Sequence, residues 1–182
     1  MADQTPKSHH TALVIIPLEE VWEPIQDIRR RYDAKVGRWM PHITLLYPFV
    51  PKRRFEEVGE RMGKVVEKLT PFSLTLATFG YFRHRHDNHT LWLRPEPENR
   101  VIDLQTRLWQ AFRDYDDTRR HQGGFNPHLS VGQQRGHDEA MALLEKLQAD
   151  WKPLTFRCDT VSLIERGSPP DDTFEVAEVF SF

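Results

Sequence analysis

A five-residue phrase occurs twice in this chain, and its recurrence limits the folds open to it. Pro41-His42-Ile43-Thr44-Leu45 returns as Pro127-His128-Leu129-Ser130-Val131. Each copy runs proline, histidine, aliphatic, small hydroxyl, aliphatic. Residues two apart in a β-strand share a face. Each copy therefore turns a histidine and a hydroxyl one way, and sends Ile43 and Leu45, or Leu129 and Val131, into a core. Two such strands brought together would surround a small space with two imidazoles and two hydroxyls.

The surroundings of the phrase repeat as well. Thr11 to Leu18 reads as a buried strand, and Val21, Ile25 and Ile28 set a helical stripe over Glu20 to Tyr32. His42 to Phe49 is the first motif strand, ended by Pro48 and Pro51. A helix over Phe55 to Leu69, a long strand Phe72 to Arg83 and a partner strand His89 to Arg94 follow. The second half has a helix Val101 to Tyr115, a polar loop Asp116 to Asn126 and the second motif strand His128 to Gln133. It closes with a helix Asp138 to Trp151 and strands Leu154 to Glu165 and Phe174 to Phe182. Phe72 follows His42 by 30 residues, and Leu154 follows His128 by 26. Two diverged copies of one unit account for this order. The expected fold is α+β: a duplicated, two-lobed domain spanning residues 1–182, with antiparallel sheets facing a central cleft and helices outside. The lobes fall at about 11–97 and 98–182, with exchange of strands between them left open.

With 182 residues, 38% of them hydrophobic, the chain fits one domain or two small lobes sharing a core. The net charge of -2 lacks the basic excess of proteins that coat long nucleic acid. Long-duplex DNA binding is therefore not expected, and a nucleotide substrate would be met at an end or as a small molecule. The clusters Arg29-Arg30-Arg31, Lys52-Arg53-Arg54, Arg83 to His86 and Arg119-Arg120-His121 read as solvated surface. A single cysteine, Cys158, rules out an intramolecular disulfide and a cysteine-rich metal site. Met1 to His10 is polar and reads as a loose arm, not a signal peptide, and no apolar run reaches membrane-spanning length. The expectation is a cytoplasmic monomer without membrane attachment.

Histidine titrates near working pH and serves as either proton donor or acceptor. One neutral and one protonated histidine on opposite sides of a phosphorus atom can deprotonate the attacking oxygen and protonate the leaving one. Hydroxyls beside them can hold the charge that builds on the non-bridging oxygens. This chemistry asks for no metal or other cofactor, and the sequence does not say which histidine is base and which is acid.

The phrase HITLLYPF, paired with NPHLSVG, resembles the two-histidine (2H) phosphoesterase superfamily, which includes proteins labelled 2′-5′ RNA ligases. That family carries two His-hydrophobic-Thr/Ser-hydrophobic motifs, one per lobe of a duplicated α+β fold, and the resemblance covers essentially the whole chain. It implies catalytic roles for His42, Thr44, His128 and Ser130. It also implies a nucleotide or RNA 3′-end substrate. Family activities include opening 2′,3′-cyclic phosphates, cleaving 2′-5′ linkages, trimming RNA 3′ ends and hydrolysing ADP-ribose cyclic phosphate. The competing reading is a module of the same fold that binds nucleotides or RNA ends without turnover.

Other features have two readings each. His84, His86 and His89 lack the aspartate at 88 that a metallohydrolase pattern would need, since Asn88 stands there. A basic hairpin turn is the simpler account, and such a turn can reach a substrate phosphate. Tyr47, Phe82 and Trp92 suit either base stacking or core packing. Tyr47, Arg83 and Arg166 are the candidate substrate contacts beyond the two motifs.

Overall fold

Among the described residues, 6–121 and 123–182 of this computed structural model, eight strands and four α-helices form. The strands are β1 (Thr11–Ile15), β2 (Ile43–Leu46), β3 (Phe72–Arg83), β4 (Asn88–Glu96), β5 (Leu129–Arg135), β6 (Leu154–Cys158), β7 (Thr160–Glu165) and β8 (Glu175–Ser181). The helices are α1 (Trp22–Tyr32), α2 (Phe55–Val66), α3 (Glu98–Ala111) and α4 (His137–Asp150). Residues 1–5 of the expected arm and Gln122 of the expected loop lie outside the described residues.

The strands pair into two four-stranded antiparallel sheets, ordered β2-β1-β7-β8 and β5-β4-β3-β6. Each motif strand is an edge strand, β2 beside β1 and β5 beside β4. After the first motif helix, α2, the chain crosses to the other sheet as β3, beside β4; after the second, α4, it stays in the sheet of β5 as β6 and crosses only with β7, which joins β1. Each sheet thus takes two strands from residues 11–97 and two from 98–182. The sheets, rather than the sequence halves, are the layers that face one another.

The expected single strand Leu154 to Glu165 is two strands. Leu154–Cys158 pairs with β3, Thr160–Glu165 pairs with β1, and the chain changes sheets at Asp159. The arm also departs from expectation. Ser8 makes a two-bond bridge with Phe49, His10 Nδ1 lies 3.2 Å from the Arg166 carbonyl, and Lys7 pairs with Asp116 and Asp117. Ordinary backbone bonds tie residues 8–10 to the sheet that carries β2, and ion pairs tie Lys7 to the turn after α3.

Helix stripes bury as their spacing dictates: Ile25 and Ile28 on α1, Val58 and Met62 on α2, Leu104 and Leu108 on α3. Two close approaches require glycine. A Cβ on Gly132 would sit 2.6 Å from Tyr32 Cβ and 3.0 Å from its carbonyl, so α1 can lie tightly against β5 only without one. A Cβ on Gly80 would sit 2.4 Å from the Trp92 ring, which lies flat across β3.

Candidate active site

The two motifs take the same alternation in space. Pro41, Ile43 and Leu45 are buried and His42 and Thr44 half-buried; Pro127, Leu129 and Val131 are buried and His128 and Ser130 half-buried. The four aliphatics are 0% exposed, and each contributes roughly 1.5–3 kcal/mol to holding its strand on the core. That anchoring fixes the phase of each strand, because a one-residue slip would send the histidines inward. Thr44 pairs with Val14, and Ser130 pairs with Trp92, so each hydroxyl shares a face with those residues. Strands β2 and β5 also touch, which brings the motif faces of the two sheets together.

Both imidazoles are held alike. His42 Nδ1 lies 2.7 Å from the Met40 carbonyl, and His128 Nδ1 lies 2.8 Å from the Asn126 carbonyl. A carbonyl only accepts, so each Nδ1 carries the proton and donates it, which leaves each Nε2 as the working nitrogen. Among the described residues the hydroxyls of Thr44 and Ser130 have no protein hydrogen-bond partner and are free to donate to a ligand.

Aromatic rings set the tilt of each histidine. Trp39 stacks on His42 with centroids 4.7 Å apart and on Phe174 at 3.8 Å. Behind these, Ala12, Val14, Ile164 and Phe174 form a small apolar floor on which Trp39, Met40 and Tyr47 pack. Phe82 meets His128 edge-on at 4.8 Å, and Trp92 backs both rings.

Burial disfavours the charged form of both imidazoles. It pushes His42 down to about 4, against the raising effect of its hydrogen bond to the Met40 carbonyl, and the charges of Arg29 and His128 lower it further while Asp33 raises it. Burial also lowers His128, opposed by the bond to the Asn126 carbonyl, with the charge of His121 lowering it further. Burial thus favours the neutral form of each imidazole in the unliganded protein, and the charge of His128 is felt at His42.

The remaining sequence candidates divide. Tyr47 lies edge-on to Trp39 at 5.8 Å, and the Arg166 guanidinium sits over Phe174 at 5.4 Å with Asp172 at 4.0 Å. Both belong to the wall behind His42. Arg83 is not brought to the motifs: it follows Phe82, whose ring meets His128, so it turns to the opposite face of β3. The three hairpin histidines do not converge. His84 Nε2 meets Thr90 Oγ1 at 2.9 Å, whereas His89 is buried against His137 on the other face. Among the described residues, no group of three or more His, Cys, Asp or Glu side chains is placed to hold a metal ion.

Three contributors were missed by sequence reasoning. Trp39 lies outside the repeated phrase. His121, in a cluster read as solvated, acts on His128 through its charge. Arg29, in another such cluster, is 2% exposed and bonds Asp33 and the Trp39 carbonyl, each at 2.9 Å. Asp33 in turn accepts from Gln133 Nε2 at 3.2 Å, and Gln133 Oε1 accepts from the Ala34 amide at 3.1 Å. One network thus joins the loop before His42 to the strand that follows His128. The only signal in the sequence is the i, i+4 spacing of Arg29 and Asp33.

The motif strands thus present two imidazoles with Nδ1 engaged and, among the described residues, two hydroxyls without a protein hydrogen-bond partner. The chain belongs to the 2′-5′ RNA ligase superfamily, whose model matches residues 17–170. It is 27% identical over 139 residues to a protein of Oceanobacillus iheyensis provisionally named a phosphoesterase, covering 76% of this chain and 78% of that one. Its fold is similar to TT0787 of Thermus thermophilus, with a TM-score of 0.64, 18% identity and coverage of 94% and 97% of the two chains. It is likewise similar to E. coli LigT complexed with 3′-AMP, with a TM-score of 0.59, 17% identity and coverage of 97% and 99%. At those identities the solved structures speak to the fold alone. No helix among the described residues is long and apolar enough to cross a membrane.

Proposed function

We propose that the protein is a metal-independent phosphodiesterase that acts on nucleotide or RNA-end phosphodiesters, either a 2′,3′-cyclic phosphate or a 2′-5′ linkage. The observation that carries this reading is the matched pair of Nδ1-to-carbonyl bonds, which leaves two imidazoles with the same free nitrogen, one on each side of the contact between β2 and β5. The complex of E. coli LigT with 3′-AMP supports a nucleotide ligand for this fold.

In the proposed reaction, neutral His42 takes a proton from water as its oxygen attacks phosphorus. The bond from phosphorus to the ribose oxygen breaks, and protonated His128 gives that oxygen a proton. The products are a phosphomonoester and a free hydroxyl. Thr44 and Ser130 donate to the non-bridging oxygens as charge accumulates there. His42 is assigned the base because burial pushes it down to about 4 and keeps it neutral. The direct test is incubation with 2′,3′-cyclic nucleotides, 2′-5′ dinucleotides and ADP-ribose cyclic phosphate, with products read by chromatography. No turnover across that panel, with retained nucleotide binding, would favour the binding module instead. Activity is expected to survive prolonged EDTA treatment; loss of turnover with rescue by Zn²⁺ or Mn²⁺ would sink the metal-free scheme.

The electrostatics give a pH prediction. Below the His42 value of about 4 the base is protonated and the rate falls. Above the lowered His128 value the acid is deprotonated and the rate falls again. The profile of kcat/KM, which reports the free enzyme, should therefore be bell-shaped with its maximum below about 6.5. A bound anionic phosphate favours both charged forms, so the kcat profile should lie at higher pH than that of kcat/KM. A kcat/KM maximum above about 7.5 would contradict the burial argument.

A further inference from the structure

The β3–β4 hairpin carries side chains from the motif face of its sheet out to an uncompensated positive tip. By register, Phe82 pairs with Thr90 and Gly80 with Trp92, so Phe82, Thr90 and Trp92 share the face that carries Ser130. His84 joins them through its 2.9 Å contact with Thr90. Asn88 pairs with Arg135, two residues beyond Thr90 and Gln133 on the same face. At about 3.4 Å per residue, Asn88 and Arg135 stand about 14 Å from Trp92. At the tip, Arg85, His86 and Arg135 are exposed and, among the described residues, make no ion pair. The carboxylate of Asp87 is engaged with the His137 amide at 3.1 Å and with Arg83 at 3.7 Å. Outward from His128, the surface offers an aromatic ring, then the hydrogen-bonding groups of Thr90 and Asn88, then the guanidinium groups of Arg85 and Arg135. That order suits single-stranded nucleic acid, which presents bases to rings and phosphates to cations.

Resting on the two-histidine reading, we propose that this face is an arm that holds the nucleotides preceding the reacting phosphate, so that the preferred substrate is the end of a single-stranded oligoribonucleotide rather than a mononucleotide. Arg85 and Arg135 each neutralise a backbone phosphate, and Phe82 and His84 hold the sugar and base between them and the site.

The test compares binding of a five-nucleotide RNA 3′-phosphate with that of a 3′-mononucleotide, by fluorescence anisotropy and competition. Wild type should prefer the longer ligand by at least ~10-fold at low salt, and two neutralised phosphates should cost the longer ligand about 7-fold in affinity between 50 and 200 mM salt. The double variant Arg85→Glu/Arg135→Glu should bring the length preference close to one and remove the added salt dependence. A matched double reversal, Lys64→Glu/Arg107→Glu, controls for net charge; these residues line a separate groove between α2 and α3. A wild-type preference near one, a preference that survives Arg85→Glu/Arg135→Glu, or an equal collapse in the control variant would each overturn the arm. Turnover by wild type of a five-nucleotide RNA 2′,3′-cyclic phosphate, alongside the 2′,3′-cyclic mononucleotide, reads the chemistry separately. An active enzyme with no length preference sinks the arm alone, whereas an inactive one that retains the preference sinks the phosphodiesterase reading.

Discussion

Replacing either His42 or His128 by alanine is expected to lower turnover by at least ~10², the scale of one positioned proton-transfer group. Nucleotide binding should fall much less, because Thr44, Ser130 and the surrounding surface remain. The two single variants should lose similar amounts, since an attacking oxygen that cannot lose its proton and a leaving oxygen that cannot gain one both stall the same displacement. The double variant should be little slower than either single one, as is usual for groups that act as a unit. The measurement is single-turnover chemistry on the best substrate of the panel, alongside product binding and a urea titration. Alanine at 42 removes a ring stacked on Trp39, so the fold must be shown intact. Near wild-type turnover in His42→Ala would end the two-histidine mechanism. Equal losses of binding and turnover in both variants would leave the histidines as ligand contacts only.

Much of this site was legible because strand alternation is local physics. The phrase Pro-His-aliphatic-hydroxyl-aliphatic states which residues bury and which do not, and the structure gives that alternation at both copies. What alternation cannot state is which sheet a strand joins. Leu154 to Glu165 stays apolar enough to read as one strand, yet it serves both sheets, and only long-range pairing with β3 and β1 reveals the change. The parity of a hairpin is hidden for a similar reason. Arg83 and His84 are neighbours in a basic run, but Phe82 faces His128, so Arg83 turns away while His84 reaches Thr90. Composition failed most clearly at Arg29-Arg30-Arg31. Arg30 is a solvated residue paired with Glu23 and Asp27, as a charged run suggests, whereas Arg29 is buried under the loop that presents His42. Distinguishing them requires the phase of α1 against β5, which is set by contacts that exist only in the folded chain.

Arg29→Ala is expected to destabilise the protein by about 3–5 kcal/mol, the usual cost of removing one partner from a buried ion pair. Its guanidinium spans three groups: Asp33 at 2.9 Å, Gln26 at 3.0 Å and the Trp39 carbonyl at 2.9 Å. The side chains of Arg29 and Asp33 are only 3% and 5% exposed, so water cannot replace what alanine removes. A urea titration should show the loss, and Asp33→Asn should show a comparable one, because it leaves the Arg29 charge buried without its partner and an amide N–H cannot accept from Arg29 Nε. The paired replacement Arg29→Met/Asp33→Leu should cost less than Arg29→Ala alone, since no charge is then left buried. A merely structural brace would do no more than this. Arg29 also lowers the proton affinity of His42 through its charge. In Arg29→Ala that influence is lost while Asp33 still raises it, so His42 should hold its proton to higher pH, and the acid limb of kcat/KM should move up. Asp33→Asn should move the same limb down. Arg29→Lys, which keeps the charge but not the planar fork, should restore the limb while recovering only part of the stability. Limbs that stay fixed across all these variants would confine Arg29 to holding the loop and would remove it from the electrostatics of the site.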